Sequence, residues 1–221
     1  MSNSAENEGK SLFSGQHHSL PIRIWHWMTF LLMTATLVTV LLGSTIYKTN
    51  QNIDMVKEKV EQKGGQITND QARNVAHEFS EKLWELHTYI GYGLCLLLLS
   101  RFLIEASQSK DEKLRGRIKK ALTFNVQVNN MEKDRKHFLW VNRGYLFFYG
   151  MFFVMALTGL GLAFEDVTLL KELHKPIKQI HEFVQYGIYA YILVHLVGVI
   201  RTDVYHSKGL VSSMINGGDN L

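Results

Sequence analysis

Hydrophobic positions along this 221-residue chain gather into four long runs separated by polar segments. No Asp, Glu, Lys or Arg occurs in the 24 residues between Arg23 and Lys48, or in the 21 between Arg143 and Glu165. Two shorter clear stretches, 15 residues between Glu85 and Arg101 and 18 between Glu182 and Arg201, become long enough to cross a bilayer once an interfacial charged end is included. In hydrocarbon every backbone N–H and C=O must be bonded within the segment, so such runs are helices. The pattern predicts spans at residues 22–46, 83–104, 143–164 and 178–200, and hence an all-α integral membrane fold. Pro21 and Pro176 are expected just before or at the first turn of spans one and four, where a missing amide proton costs nothing.

Two elaborations interrupt the spans. In the loop 47–82, Thr68 and Gln71 have capping-box spacing, and Ala72, Val75, Ala76, Phe79, Leu83 and Leu86 continue at helical spacing into span two. The second helix is therefore expected to begin well outside the membrane, separated by Gly64 and Gly65 from a short helix over 54–62. In the loop 105–142, Leu114, Ile118, Ala121 and Leu122 line one side of a basic helix suited to an anionic lipid surface; a solvated charged linker is the equal alternative. Residues 1–21 form a polar N-terminal segment, and residues 22–218 read as one membrane domain. The first span lacks the small-residue cleavage site of a signal peptide and is expected to be retained.

Composition alone, 46% hydrophobic and 20% charged, would describe a soluble domain; the uneven placement of charge argues otherwise. With the N-terminus inside, fifteen of the 24 lysines and arginines fall on the cytoplasmic side, eleven of them from Arg101 to Arg143. Both termini are accordingly expected in the cytoplasm. The six lysines and arginines of the outer loop are matched by Asp54, Glu58, Glu61, Asp70, Glu78 and Glu81. The net charge of +4 thus reports orientation rather than a nucleic-acid surface. Cys95 is the single cysteine, which excludes intrachain disulfides, cysteine-ligated iron-sulfur clusters, zinc thiolates and covalent CxxCH haem attachment.

Ten histidines occur, and four fall inside spans: His26, His87, His181 and His195. Ionisable groups at such depth are rare and usually functional. Their distances from the span ends place His26 and His195 in the inner half of the membrane, and His87 and His181 in the outer half. His181 and His195 are 14 residues apart, four turns at 3.5 per turn, so they face nearly the same way about 21 Å apart along one helix. Two opposed imidazoles clamp a flat macrocycle, so the pairs His26 with His195 and His87 with His181 would make two stacked bis-histidine haem sites. For any single histidine, a helix-to-helix hydrogen bond or a proton path is the simpler account; two depth-matched pairs outweigh it. Each layer has too few ligands for tetrahedral zinc.

The other six, His17, His18, His77, His137, His174 and His206, lie in polar segments and read as surface residues. Gly91, Gly93, Gly159, Gly161, Gly187 and Gly198 either admit a broad ring near backbone or serve small-residue helix packing. Arg23, Arg143 and Arg201 read as headgroup anchors, with haem propionates as the second option. Trp25, Trp27, Trp84 and Trp140 read as an interfacial belt.

The segment from Pro21 to Trp27 (Pro-Ile-Arg-Ile-Trp-His-Trp), the His87 to Gly91 spacing, Ala156-Leu157-Thr158-Gly159-Leu160, the His181 to His195 spacing and the tail Ser213-Met214-Ile215-Asn216-Gly217 resemble the prokaryotic di-haem cytochrome b family. That family includes the membrane subunits of nickel-iron hydrogenases, formate dehydrogenases and related respiratory enzymes. The resemblance covers residues 20–218. It implies a four-helix membrane bundle with two noncovalent haem b groups, in the prokaryotic cytoplasmic membrane, carrying electrons between a partner on one side and a quinone. Carried over residue by residue, it gives His26 and His195 to the inner haem iron and His87 and His181 to the outer one. The long outer loop departs from the family pattern and leaves the partner's identity open: a hydrogenase-like subunit, another oxidoreductase or an electron carrier.

No catalytic motif for nucleophilic, phosphate or acid-base chemistry is present, so whether the chain is itself an enzyme is left open. A quinone is expected near the inner haem, around Arg23, Tyr145 or Tyr205. Membrane lipids are further partners, nucleic acid is not, and homo-oligomerisation is open. The competing functions are a proton-coupled or transition-metal transporter using the intramembrane histidines, and a haem-containing assembly subunit.

Overall fold

The structure, a computed structural model, describes residues 19–108, 113–124, 132–164, 167–205 and 209–217. Seven helices appear among them: α1 (Leu20–Ser44), α2 (Thr49–Glu61), α3 (Asn69–Ser107), α4 (Leu114–Thr123), α5 (Glu132–Ala163), α6 (Thr168–Tyr205) and α7 (Leu210–Asn216). No strand occurs in the described residues. The four helices α1, α3, α5 and α6 are long and apolar enough to cross a membrane, and most side chains of their apolar windows face outward. Leu31, Leu41, Leu96, Leu103, Phe147, Leu193 and Val197 are all exposed, as lipid-facing positions should be. At about 1.5 Å per residue the 39-residue α3 measures about 58 Å, nearly twice a hydrocarbon core of about 30 Å.

The chain divides into two compact units, His26–Leu97 and the remainder, Met1–Trp25 with Leu98–Leu221. In the first, α3 begins at the expected capping box. The Gln71 amide donates to Thr68 Oγ1 at 3.2 Å and the Thr68 amide to Gln71 Oε1 at 2.9 Å, satisfying two donors that a helix start leaves orphaned. The short helix before it, α2, starts at Thr49, earlier than the pattern indicated, and buries none of its residues. It ends in a Schellman turn: Gly65 N–H bonds the Val60 carbonyl at 3.0 Å and Gly64 N–H the Glu61 carbonyl at 2.9 Å, with Gly64 at φ +79°. Lys57 Nζ reaches Asn69 Oδ1 at 2.8 Å, and Ala72 and Ala76, one turn apart on α3, are fully buried. Within the membrane portion, a methyl group at Gly43 would meet the Trp84 ring at 2.9 Å, and one at Gly93 would meet Leu32 at 3.0 Å. These glycines therefore serve close helix approach.

The second unit is built on the pair α5 and α6. Phe148 stacks on Tyr191 at 4.7 Å, while Gly187 faces Met151, Gly159 faces His181 and Gly161 faces Ile177. Contacts that advance along α5 as they retreat along α6 mean antiparallel helices. The basic helix α4 packs on α5, with Ala121 fully buried and the Arg117 guanidinium 5.4 Å over the Phe138 ring. Its apolar side is thus partly committed to the protein, and Leu122 stays exposed. Burial pulls the Arg117 pKa down from its usual value, with Tyr145 and Glu105 acting against that pull.

Two expectations need correction. Pro176 does not open the fourth helix but lies inside α6, which begins at Thr168. Proline removes only the bond to the Glu172 carbonyl, and both residues are exposed, so water can take that carbonyl and the helix runs on. Trp25 is not at an exposed interface: it is 8% exposed and packs 6.0 Å from the Tyr149 ring. Trp84 and Trp140 remain exposed, in keeping with a belt.

Candidate functional site

Each unit holds one histidine of each expected layer: His26 and His87 in one, His181 and His195 in the other. All four side chains are half-buried. His87 projects from α3 with Nδ1 2.8 Å from Thr39 Oγ1 on α1, and the Trp84 ring stands edge-on to it at 5.5 Å. Thr39 is buried and its hydroxyl also donates to the Thr36 carbonyl at 2.7 Å. His181 on α6 repeats the arrangement in the other unit. Its Nδ1 lies 2.9 Å from Thr158 Oγ1 on α5, whose hydroxyl reaches the Val154 carbonyl at 2.8 Å and the Met155 carbonyl at 3.1 Å. Gly159 completes the seat, because a methyl group there would stand 3.3 Å from His181 Cε1.

His195 lies parallel to Tyr191, interplanar angle 5° and ring centroids 6.1 Å apart, and Tyr191 in turn stacks on Phe148. His26 has Trp27 edge-on at 5.7 Å. Also in the second unit, Arg101 Nε donates to Tyr149 Oη at 3.0 Å and Arg101 Nη1 lies 3.0 Å from Glu105 Oε2, while Glu105 Oε1 accepts the Leu114 amide at 2.7 Å. This network ties the end of α3 to α5 and caps the start of α4.

The donor chemistry fits a haem. An imidazole whose Nδ1 is engaged by a hydroxyl offers Nε2 as its remaining metal-binding atom, the usual arrangement of an oriented histidine ligand. Gly91, one turn after His87, and Gly198, three residues after His195, have no atom beyond their own stretch of helix backbone and chain neighbours within 4 Å of an added methyl group, among the described residues. Each leaves space on its histidine's own helix face. Among the described residues, no three His, Cys, Asp or Glu side chains gather into a metal-binding group. Paired imidazoles above and below a macrocycle need no such cluster, whereas tetrahedral zinc does.

The remaining sequence candidates divide. His77 is exposed beside Glu81 at 3.3 Å and His137 is exposed, as expected of surface residues; His174 is half-buried. His17, His18 and His206 lie outside the described residues. Arg23 packs its guanidinium against Gly217, while Arg143 and Arg201 are exposed. Of the positions considered for a quinone, Tyr205 borders an open groove with Val197, Ile200 and Arg201, and Tyr145 lies near Arg117. The pattern of apolar runs does not single out Thr39, Tyr149 or Tyr191. Thr39 carried one weak signal, a hydroxyl in an apolar run at the depth of an intramembrane histidine.

A family model described as prokaryotic cytochrome b561 matches residues 17–217. The chain belongs to the prokaryotic cytochrome b561 family. No curated protein and no solved structure matches it. As a cytochrome b561 the protein is a multi-pass membrane b-type cytochrome of electron transfer that binds haem b. Within the matched residues stand all four intramembrane histidines and the threonines that meet two of them, His87 and His181.

Proposed function

We propose that this cytochrome b561 is a di-haem subunit that carries electrons across the bilayer between a redox partner at the outer face and the quinone pool. The observation that supports it most is the repeated seat of His87 and His181, each held through Nδ1 by a threonine of another helix, the arrangement that orients an imidazole to ligate a metal through Nε2. In this reading His87 and His181 ligate the outer haem iron, and His26 and His195 the inner one. Haem b supplies a one-electron centre when bound. The chain's own work is to fix the imidazoles, to keep the centres in an apolar surround and to separate two levels by the 14-residue spacing from His181 to His195, about 21 Å along α6. In this reading both termini lie on the cytoplasmic side of a prokaryotic inner membrane, an orientation the excess of Lys and Arg in the middle loop favours, and α2 with the adjoining end of α3 lies at the face where the partner docks.

The test is a reduced-minus-oxidised absorption spectrum of the detergent-purified chain with a pyridine haemochrome assay and a protein assay. The expected result is two noncovalent haem b groups per chain, with reduction of both by a quinol. One haem per chain would refute the two-layer reading. No haem, after expression with ample haem supply, would turn the histidines into a proton or metal path.

A further inference from the structure

Both outer-layer histidines meet a threonine hydroxyl, and each hydroxyl has a single proton to give. Thr39 Oγ1 lies 2.7 Å from the Thr36 carbonyl, an atom that can only accept, so the Thr39 proton is committed there. The 2.8 Å contact between Thr39 Oγ1 and His87 Nδ1 must then be a bond donated by Nδ1–H to the hydroxyl oxygen. The same reasoning holds independently in the other unit. Thr158 Oγ1 shares its proton between the Val154 and Met155 carbonyls, at 2.8 and 3.1 Å, and accepts from His181 Nδ1–H at 2.9 Å. A neutral imidazole protonated at Nδ1 carries its lone pair on Nε2.

We infer that Thr39 and Thr158 are positioning residues for the outer haem, each locking its histidine in the Nδ1–H tautomer that presents Nε2 to iron. The inference rests on the reading of His87 and His181 as ligands. A hydrogen bond from Nδ1–H makes the imidazole a stronger electron donor and favours the oxidised metal, besides holding the ring plane. A bare helix-stabilising role, with the hydroxyl folded back on its own carbonyls, would touch neither property. The α5 segment Thr158-Gly159 thus acts as one device: the threonine holds the ring at Nδ1, and the glycine admits its Cε1 edge.

The experiment is a redox titration with electron paramagnetic resonance of the full-length holoprotein, comparing wild type with Thr39→Val, Thr158→Val, the two Thr→Ser variants, and His87→Ala. Valine keeps the shape and removes the acceptor; serine restores it. Expected in each valine variant is an upward shift of the midpoint of one haem and a changed low-spin signal of that haem, or its loss through affinity about 10- to 100-fold weaker, with the other haem unchanged and serine restoring the wild-type values. Unaltered signals and midpoints in both valine variants would overturn the inference, and so would loss of both haems, since positioning one ligand pair leaves the other intact. His87→Ala separates the two failures. If it retains two low-spin haems, the ligand reading falls and the inference with it; if it loses one while the valine variants stay silent, only the role of the threonines falls.

Discussion

Gly217 closes α7 at φ +89°, its N–H bonded to the Ser213 carbonyl at 2.9 Å, and the Arg23 guanidinium occupies the place a side chain would take. Two independent demands therefore meet at one residue: a left-handed backbone and no Cβ. A Gly217→Ala substitution should cost about 1–2 kcal/mol for the backbone alone, and more because Arg23 must move. The expected outcome is a lower thermal midpoint and faster proteolysis of the tail, with haem content retained; unchanged proteolysis would remove the structural role given to the tail. The glycine and arginine are both visible in the sequence, but nothing in their spacing says that they touch. Thr39 and Thr158 teach the same lesson. Histidines in apolar runs announce themselves by rarity, whereas a threonine there is common, and its meaning depends on what lies across from it.

At the scale of elements, local chemistry was legible where both partners lie within a turn or two. The capping box at Thr68 and Gln71 and the glycine turn after α2 are contacts between near neighbours in sequence, and both form as their spacing implies. Replacing Thr68 by Ala should cost about 0.5–2 kcal/mol of local stability. Hydrogen exchange would register it as lost protection of the Gln71 amide and the first turn of α3, without change in the haem spectrum. Helix lengths were less legible, because polar turns outside the membrane carry no hydrophobic signal: α5 starts at Glu132 and α6 at Thr168, each well before its apolar run. Since α2 buries nothing, deletion of residues 50–65 should leave haem content intact while weakening co-purification of the redox partner proposed for that face. Equal recovery of the partner would free that loop of its proposed role.

For the whole molecule the strongest prediction concerns α6, the helix that in the proposed pairing offers one histidine to each level. His195→Ala should remove one haem and spare the other, read as a halved pyridine haemochrome ratio with one low-spin signal remaining. Two retained haems would break the proposed pairing. The four spans, the all-α class, the membrane location and the identity of the rare intramembrane imidazoles were determined by the sequence alone, because they follow from runs of apolar residues and from the cost of placing a polar ring in hydrocarbon. Only the tertiary structure decided that Trp25 is buried, that Gly159 lies against His181, and that His87 and His181 each meet a threonine of another helix through Nδ1. The physical reason is distance along the chain. His87 stands 48 residues from Thr39 and His181 stands 23 from Thr158, so their meeting depends on how helices pack, and periodicity within one helix carries no information about its neighbour.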